Sequence, residues 1–356
     1  MKGVILHGGK GTRLRPLTHT GPKQLIPIAN KPMSQYALED LREAGIKEIA
    51  VILGDIAPEK VVDYYGDGTR FGVSIRYIPQ AEPKGIAHAV RLARDFVRDE
   101  PFVVYLGDNL LRDGIKDLVE GFDGSGAVAC IGLSHVKRPE AFGVAKLDSR
   151  GKVIRLVEKP KVPASDLALV GVYVFASPIF DAIDTLKPSW RGELEITEAI
   201  QKLIDKGLTI HSHILSGWWK DTGMPEDILE ANQLVLSDLK PFNKGKLEDH
   251  VTVTGNIAIE EGTVIRERCT LRGPLIIGMG CEIGPETYVG PYTSIGDNVV
   301  IRGGEIENSI VLEGTTIECR SRIVDSLIGK GSRMVSNDKL PKGYKLIVGE
   351  NTFISL

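Results

Sequence analysis

The residues best suited to chemistry gather near the start of the chain. Gly8-Gly9-Lys10-Gly11-Thr12-Arg13 is a loop whose glycines let backbone N–H groups approach an anion closely. Arg13 and Arg15 add fixed positive charge, and Lys23, framed by Pro22 and Pro27, sits on a stiff segment able to fold back over the loop. Three cations within eleven residues exceed what a structural turn requires, so the stretch reads as a triphosphate cradle. Two familiar glycine motifs fit it poorly. A dinucleotide fingerprint needs a third glycine where Leu14 stands, and a Walker loop needs Ser or Thr after its lysine, where Gly11 follows Lys10.

Three further stretches carry groups of the right kind. Gln80 closes an apolar run, where its amide can pair with the imide edge of thymine or uracil or simply cap a strand end. Asp108 follows Phe102-Val-Val-Tyr-Leu-Gly107; its carboxylate suits Mg²⁺, which takes one or two protein oxygens beside phosphate, though an aspartate there also serves as an N-cap. Glu158-Lys159 offers an acceptor for a polyol and a cation for a phosphate dianion, or is an ordinary solvated pair.

Positioning these groups takes a scaffold of strands and helices. Gly3–His7, Ile49–Leu53, Val73–Pro79, Pro101–Leu106, residues 127–136 and Leu167–Ala176 are apolar runs of strand length, while Phe142–Val144 and Val153–Pro160 form a hairpin turned at Asp148-Ser-Arg-Gly151. Helical spacing marks Met33–Ala44, a stretch from Gly85 with Ile86, Ala89, Val90, Ala93 and Val97 on one face, a helix with Ile196, Ala199, Ile200, Leu203 and Ile204 inward, and Glu226–Leu239. Alternating strands and helices predict an α/β, Rossmann-like domain with a mainly parallel mixed sheet. In such sheets ligands sit beyond the carboxyl ends of the strands, where Gly8 falls.

At 356 residues the chain is too long for one core of usual size, so two domains are expected. A net charge of -3 gives no global basic field for nucleic acid. Cys130, Cys269, Cys281 and Cys319 are widely spaced, which argues against a zinc site or a disulfide framework. No apolar stretch approaches the roughly 20 residues of a membrane span, and the chain starts directly with a strand, so the expectation is a cytoplasmic protein without membrane or nucleic-acid partners.

Past residue 241 the pattern changes. Ile277, Ile283, Val289, Ile295 and Ile301 recur every six residues, four of them followed by glycine, and Val311, Ile317 and Ile323 resume the step after a short irregular insert. This period predicts a left-handed parallel β-helix of hexapeptide repeats. Such coils often carry acyl transfer, which needs a base such as histidine. His250 is the only histidine beyond residue 213 and precedes the expected coils, so packing and homo-oligomerisation are the roles expected.

GGKGTRLRP followed by PKQLIPIANKP resembles the signature of the sugar-phosphate nucleotidyltransferases, and its Lys-Gln-Leu variant is similar to the glucose-1-phosphate thymidylyltransferases. QAEPKGIA, LGDN, EKP, PSWRGELEIT and WWKDTG look like further elements of that family, and with the second domain the resemblance, to its long form, spans nearly the whole chain. It implies a catalytic domain over 1–240, a β-helix over 247–340 and a tail over 341–356. The resemblance assigns Leu6, Gly8, Gly9, Gly11, Thr12, Arg13, Lys23, Gln24, Gln80, Gly85 and Asp108 to the nucleotide. Asn109, Gly143, Glu158, Lys159, Leu169, Tyr173 and Arg191 go to the sugar phosphate, and Asp108 and Asp221 to Mg²⁺. Arg13, Lys23, Asp108, Lys159 and Arg191 would be catalytic. The implied reaction joins dTTP and glucose 1-phosphate into dTDP-glucose and pyrophosphate, with UTP as the alternative nucleotide and a non-catalytic nucleotide-sugar binder as the alternative class. Two positions depart from the family pattern: His7 replaces a small residue, and Phe142 replaces a tyrosine, which removes a hydroxyl.

Overall fold

The computed structural model describes residues 1–336, where the chain forms two compact units, the first ending at Asp238 and the second beginning at Leu239. The tail expected over 341–356, and positions 337–340, lie outside the described residues.

The first unit is built on a nine-stranded mixed sheet. Strands β1 (Lys2–His7), β2 (Glu48–Leu53), β3 (Ser74–Pro79) and β4 (Phe102–Leu106) are parallel, in the order β3-β2-β1-β4. β1 lacks polar alternation because both its faces are covered. Val4 and Leu6 enter one core cluster, with Val104 and Phe175, while Ile5 enters the other, against Ala37, Leu38 and Leu41 of α1 (Met33–Glu43).

The chain leaves β1 for β2 and β3 on one side, then returns to place β4 on the other. That reversal opens a crevice at the carboxyl ends of β1 and β4, the place where open α/β sheets bind ligands. Beyond β4 lie β5 (Asn109–Leu111), β6 (Ala129–His135), the hairpin β7 (Gly143–Leu147) and β8 (Val153–Glu158), and β9 (Leu167–Phe175). β9 is buried at all nine positions and runs antiparallel to β4 and β6. The hairpin turns where expected, with Asp148 Oδ1 accepting from the Arg150 and Lys152 amides.

The helix expected after Gly85 is broken into α2 (Ile86–Leu92) and a short piece, Arg94–Val97. The amide of Ala93 bonds back three residues to Val90, tightening the turn while Ala89, Val90, Ala93 and Val97 all stay buried. Helix α3 (Ile196–Asp205) starts only at Ile196, leaving 188–195 as a loop. Strand β10 (Ile210–Ile214) joins β6 in parallel, β11 (Trp219–Asp221) pairs with β5, and α4 (Pro225–Ser237) closes the unit.

The second unit is a β-helix of three parallel sheets. Its strands begin at Phe242, before the expected 247, so His250 falls inside the first turn, exposed and at φ 60°. The six-residue period also starts earlier than Ile277, with Ile259, Ile265 and Leu271 buried on the same axis. What reads in sequence as an insert is a shortening. Ile306 and Val311 follow Ile301 as buried residues on sides of five residues, not six. Glu248, Arg266, Glu282, Arg302 and Glu318 alternate in sign up one face. Pairs this exposed contribute about 0–1 kcal/mol each, so the apolar axis holds the coil. Among the described residues no helix is long and apolar enough to cross a membrane.

Candidate active site

One cleft at the switch point is lined by Leu6, Gly8, Gly9, Arg13, Lys23, Gln80, Gly85, Asp108, Asn109, Gly143, Glu158, Lys159, Leu169, Tyr173, Arg191 and Asp221. Of the residues the resemblance assigns to the site, only Gly11, Thr12 and Gln24 are not part of that lining, and Arg15, counted among the cradle cations, is exposed and also lies outside it. Gly11 and Thr12 belong to the loop but face away from the cleft lining, and Gln24 sits behind it. Gly11 is left-handed, its carbonyl accepting from Thr18 Oγ1 at 2.7 Å, and Thr12, itself exposed, opens a short turn that buries Leu14. Gln24 is buried and props the loop by donating Nε2–H to the Gly8 carbonyl at 2.9 Å.

At this end of the cleft the Gln80 carboxamide lies against Gly8, where an added Cβ would meet its Oε1 at 2.9 Å. Gln80 Nε2 is 3.0 Å from His88 Nδ1. Burial and the charges of Arg91 and Lys84 lower the His88 pKa, so a neutral ring can accept from the Gln80 amide. His7 turns its ring into the core, edge-on to Tyr65, and desolvation depresses its pKa to about 3 despite the nearby Asp108 carboxylate.

Two carboxylates occupy the middle. β11 pairs with β5 so that Asp221 faces Asn109, and Thr222 donates both its amide and its hydroxyl to the Asp108 carbonyl, at 3.2 and 2.7 Å. This ribbon closes the long sequence gap between Asp108 and Asp221. Lys23 Nζ pairs with Asp108 Oδ2, and Asn109 Nδ2 donates to Oδ1 at 3.1 Å. Burial alone would raise Asp108, but the Lys23 charge and these hydrogen bonds hold it below the usual carboxylate range. Burial, then repulsion from Asp108, pushes Asp221 up to about 6. Lys23 ends above its ordinary value because Asp108 outweighs the cost of its burial. Asn109 also ties its strand to β11, since its Oδ1 accepts from Trp219 Nε1 at 2.6 Å.

Arg13 is exposed, and its guanidinium lies across Gly223, whose missing Cβ would fall 3.0 Å from Nη2. Among the described residues neither Arg13 nor Lys159 has a side-chain hydrogen-bond or ion-pair partner, so both present free donors.

At the far end Glu158 faces Gly143 across the hairpin, with Thr197 Oγ1 donating to its Oε2 at 3.3 Å. Gly143 must be small, because a Cβ would sit 2.6 Å from Thr197 Cγ2. Arg191 is gripped by Glu158, Glu193 and Glu195 at 3.2–3.4 Å. Burial and the neighbouring Glu195 raise Glu158, against the pull of Lys159 and Arg191. Phe142 meets Trp219 edge to face at 5.2 Å, so the position that loses a hydroxyl keeps an aromatic wall. His88, Trp219, Thr222, Gly223, Glu193 and Glu195 carry this geometry without having been given a role from sequence. Only their place inside otherwise recognisable motifs could have pointed to them.

The donor set fits a hard divalent ion. Two half-buried carboxylates, Asp221 destabilised by Asp108, would gain from a cation beside them. Among the described residues no group of three or more His, Cys, Asp or Glu could hold a metal, and Mg²⁺ bound with phosphate takes one or two protein oxygens. Free cations at both ends and carboxylates between them equip the cleft to align two phosphorylated ligands, which places the protein among the group-transfer enzymes that work on phosphates.

Residues 2–238 match the family described as nucleotidyl transferase, and 271–355 match the GMPPB C-terminal domain. The chain belongs to the nucleotidyl transferase family. It is 54% identical, over all of both chains, to the low-salt glycan biosynthesis nucleotidyltransferase Agl11 of Haloferax volcanii. Identity to a glucose-1-phosphate thymidylyltransferase of Streptomyces antibioticus is 47%, over all of this chain and 99% of that one. Among solved structures, one assigned as a glucose-1-phosphate thymidylyltransferase from Bacillus anthracis aligns with TM-score 0.64 and 40% identity, covering 68% of this chain and 98% of that one. The protein is thus an enzyme of nucleotidyl transfer to a sugar 1-phosphate, with a nucleoside triphosphate as donor.

Proposed function

We propose that the protein transfers the thymidylyl group of dTTP to glucose 1-phosphate, with Mg²⁺ as its metal, yielding dTDP-glucose and pyrophosphate. The observation that carries this reading is the division of the cleft: Arg13 near the glycine loop and Lys159 at the far end, both unpaired among the described residues, and two half-buried carboxylates between them. The nucleotide and sugar follow the thymidylyltransferase relatives at 45–47% identity.

An oxygen of the sugar phosphate attacks the α-phosphorus as the bond to the bridging oxygen breaks, and pyrophosphate leaves with the electron pair. The nucleophile is already anionic, so no side chain need take a proton. Arg13, Lys23 and the loop amides hold the triphosphate, Lys159 and Arg191 hold the sugar phosphate, and Glu158 accepts from sugar hydroxyls. Asp108 and Asp221 would hold Mg²⁺, which when bound supplies neutralising charge at the α-phosphate.

UTP is the competing donor, because the Gln80 amide suits the imide edge of uracil as well as thymine and one methyl group is worth only about 1–3 kcal/mol. Pyrophosphate release measured for each nucleoside triphosphate against a panel of sugar 1-phosphates tests the reading. The highest kcat/KM is expected for dTTP with glucose 1-phosphate. A clear preference for UTP would overturn the nucleotide assignment, and no release from any pair would overturn the activity. The β-helix is the surface through which copies of the chain would assemble, which light scattering tests.

A further inference from the structure

We propose that the backbone junction between Gly85 and Leu194 couples the two substrate ends of the cleft, so that seating the nucleotide also sets the arm that carries Arg191. The inference rests on the functional reading above. Two segments meet there. One runs from Gln80, whose carboxamide lies on Gly8, to Ala87 in the first turn of α2. The other is the 188–195 loop, which presents Arg191, Glu193 and Glu195 to the cleft.

Leu194 donates its amide to the Lys84 carbonyl at 2.8 Å, and Ala87 donates its amide to the Leu194 carbonyl at 3.1 Å. Gly85, at φ +100°, passes so close that a Cβ would fall 2.6 and 2.7 Å from the Leu194 oxygen and nitrogen. These are backbone atoms, which cannot turn aside as the end of a flexible side chain can. The 188–195 loop is braced internally. The Ser189 amide bonds to the Glu193 carbonyl at 2.8 Å, Ser189 Oγ accepts from the Arg191 amide and donates to Glu195, and Glu193 grips Arg191 at 3.2 Å. A shift at residue 85 therefore reaches Arg191 through a stiff path, and linkage makes the effect reciprocal.

The test follows amide hydrogen exchange of the full chain with a non-hydrolysable α,β-methylene analogue of dTTP and MgCl2, and glucose 1-phosphate binding by calorimetry with and without that analogue. Nucleotide alone is expected to slow exchange both at 8–13 and at 189–195, and to tighten glucose 1-phosphate at least about fivefold. Ser189→Ala, which removes the hydroxyl that accepts from the Arg191 amide and donates to Glu195, is expected to keep the slowing at 8–13 and to lose both the slowing at 189–195 and the tightening. Wild-type protein showing protection at 8–13 with none at 189–195 overturns the coupling while leaving the functional reading intact, whether or not the variant folds. Full protection at 189–195 in Ser189→Ala would mean that the braced loop does not carry the effect, and would overturn the coupling path as well. If neither the dTTP nor the UTP analogue protects 8–13, the functional reading fails and the coupling with it.

Discussion

Gly223 offers a sharp test of how the Arg13 guanidinium, proposed to meet the triphosphate, is held. Its φ is not left-handed, so alanine suits the backbone, but the new Cβ would stand 3.0 Å from Arg13 Nη2 and 3.4 Å from Cζ and Nη1. Ordinary contact distances are about 3.5–4.0 Å, so the guanidinium must retreat by up to about 1 Å. Misplacement on that scale costs up to about 10²-fold in rate, and partial loss of one charge-assisted hydrogen bond gives a similar figure of about 1.5–3 kcal/mol. We expect Gly223→Ala to lower kcat/KM for the nucleotide about 10- to 100-fold, with little change in KM for the sugar 1-phosphate. Stability should move the other way, rising by about 0.4–1 kcal/mol because alanine narrows the unfolded ensemble. Steady-state pyrophosphate release and thermal melts measure the two. In an Arg13→Ala background the second substitution should add nothing. Wild-type kcat/KM in Gly223→Ala, or an equal further loss without Arg13, would refute the argument.

Three other outcomes follow from the same structure. Asp108→Asn should reduce metal-dependent turnover at least about 10²-fold while circular dichroism shows a folded protein, and wild-type rates would sink the metal assignment. Asp40 accepts from Tyr105 Oη at 2.8 Å, and burial, outweighing that bond, with Glu43 and Glu39 against Lys31, raises its pKa to about 7. A carboxyl raised in the folded state costs stability that sets in as pH climbs past the unfolded value and is complete above about 7. Asp40→Asn should therefore raise the melting temperature more at pH 8 than at pH 5, and a gain independent of pH would contradict this. Ile295 is fully buried on the coil axis, so Ile295→Ala should cost about 2–5 kcal/mol; a loss under about 1 kcal/mol by chemical denaturation would mean the coil repacks.

Much of the scaffold was legible because burial on both faces leaves a plain mark. β1 and β9 read as unbroken apolar runs, and the hexapeptide period reports one buried residue per side of the coil. The departures have local causes. Ala93 keeps its apolar place, so periodicity does not register the tightened turn that breaks the helix. A side of five residues still buries one aliphatic, so the shortening near Ile306 looks like noise in a six-residue ruler. Asn109 lines the cleft as expected of a site residue, but that its amide also bonds Asp108 and Trp219 could not be read from sequence, because Trp219 lies on another strand.

The sequence by itself determined which chemical groups are present and which strand ends they follow, because glycine-rich loops, terminal aspartates and apolar periods are local properties. Tertiary structure decided which of those groups already have a protein partner and which do not. Lys23 and Arg191 carry the same charge as Arg13 and Lys159, but the fold has already paired the first two with carboxylates and left the other two unpaired among the described residues. Charge is written in the residue; whether it is already balanced depends on neighbours from distant parts of the chain, which only the folded backbone brings within a hydrogen bond's reach.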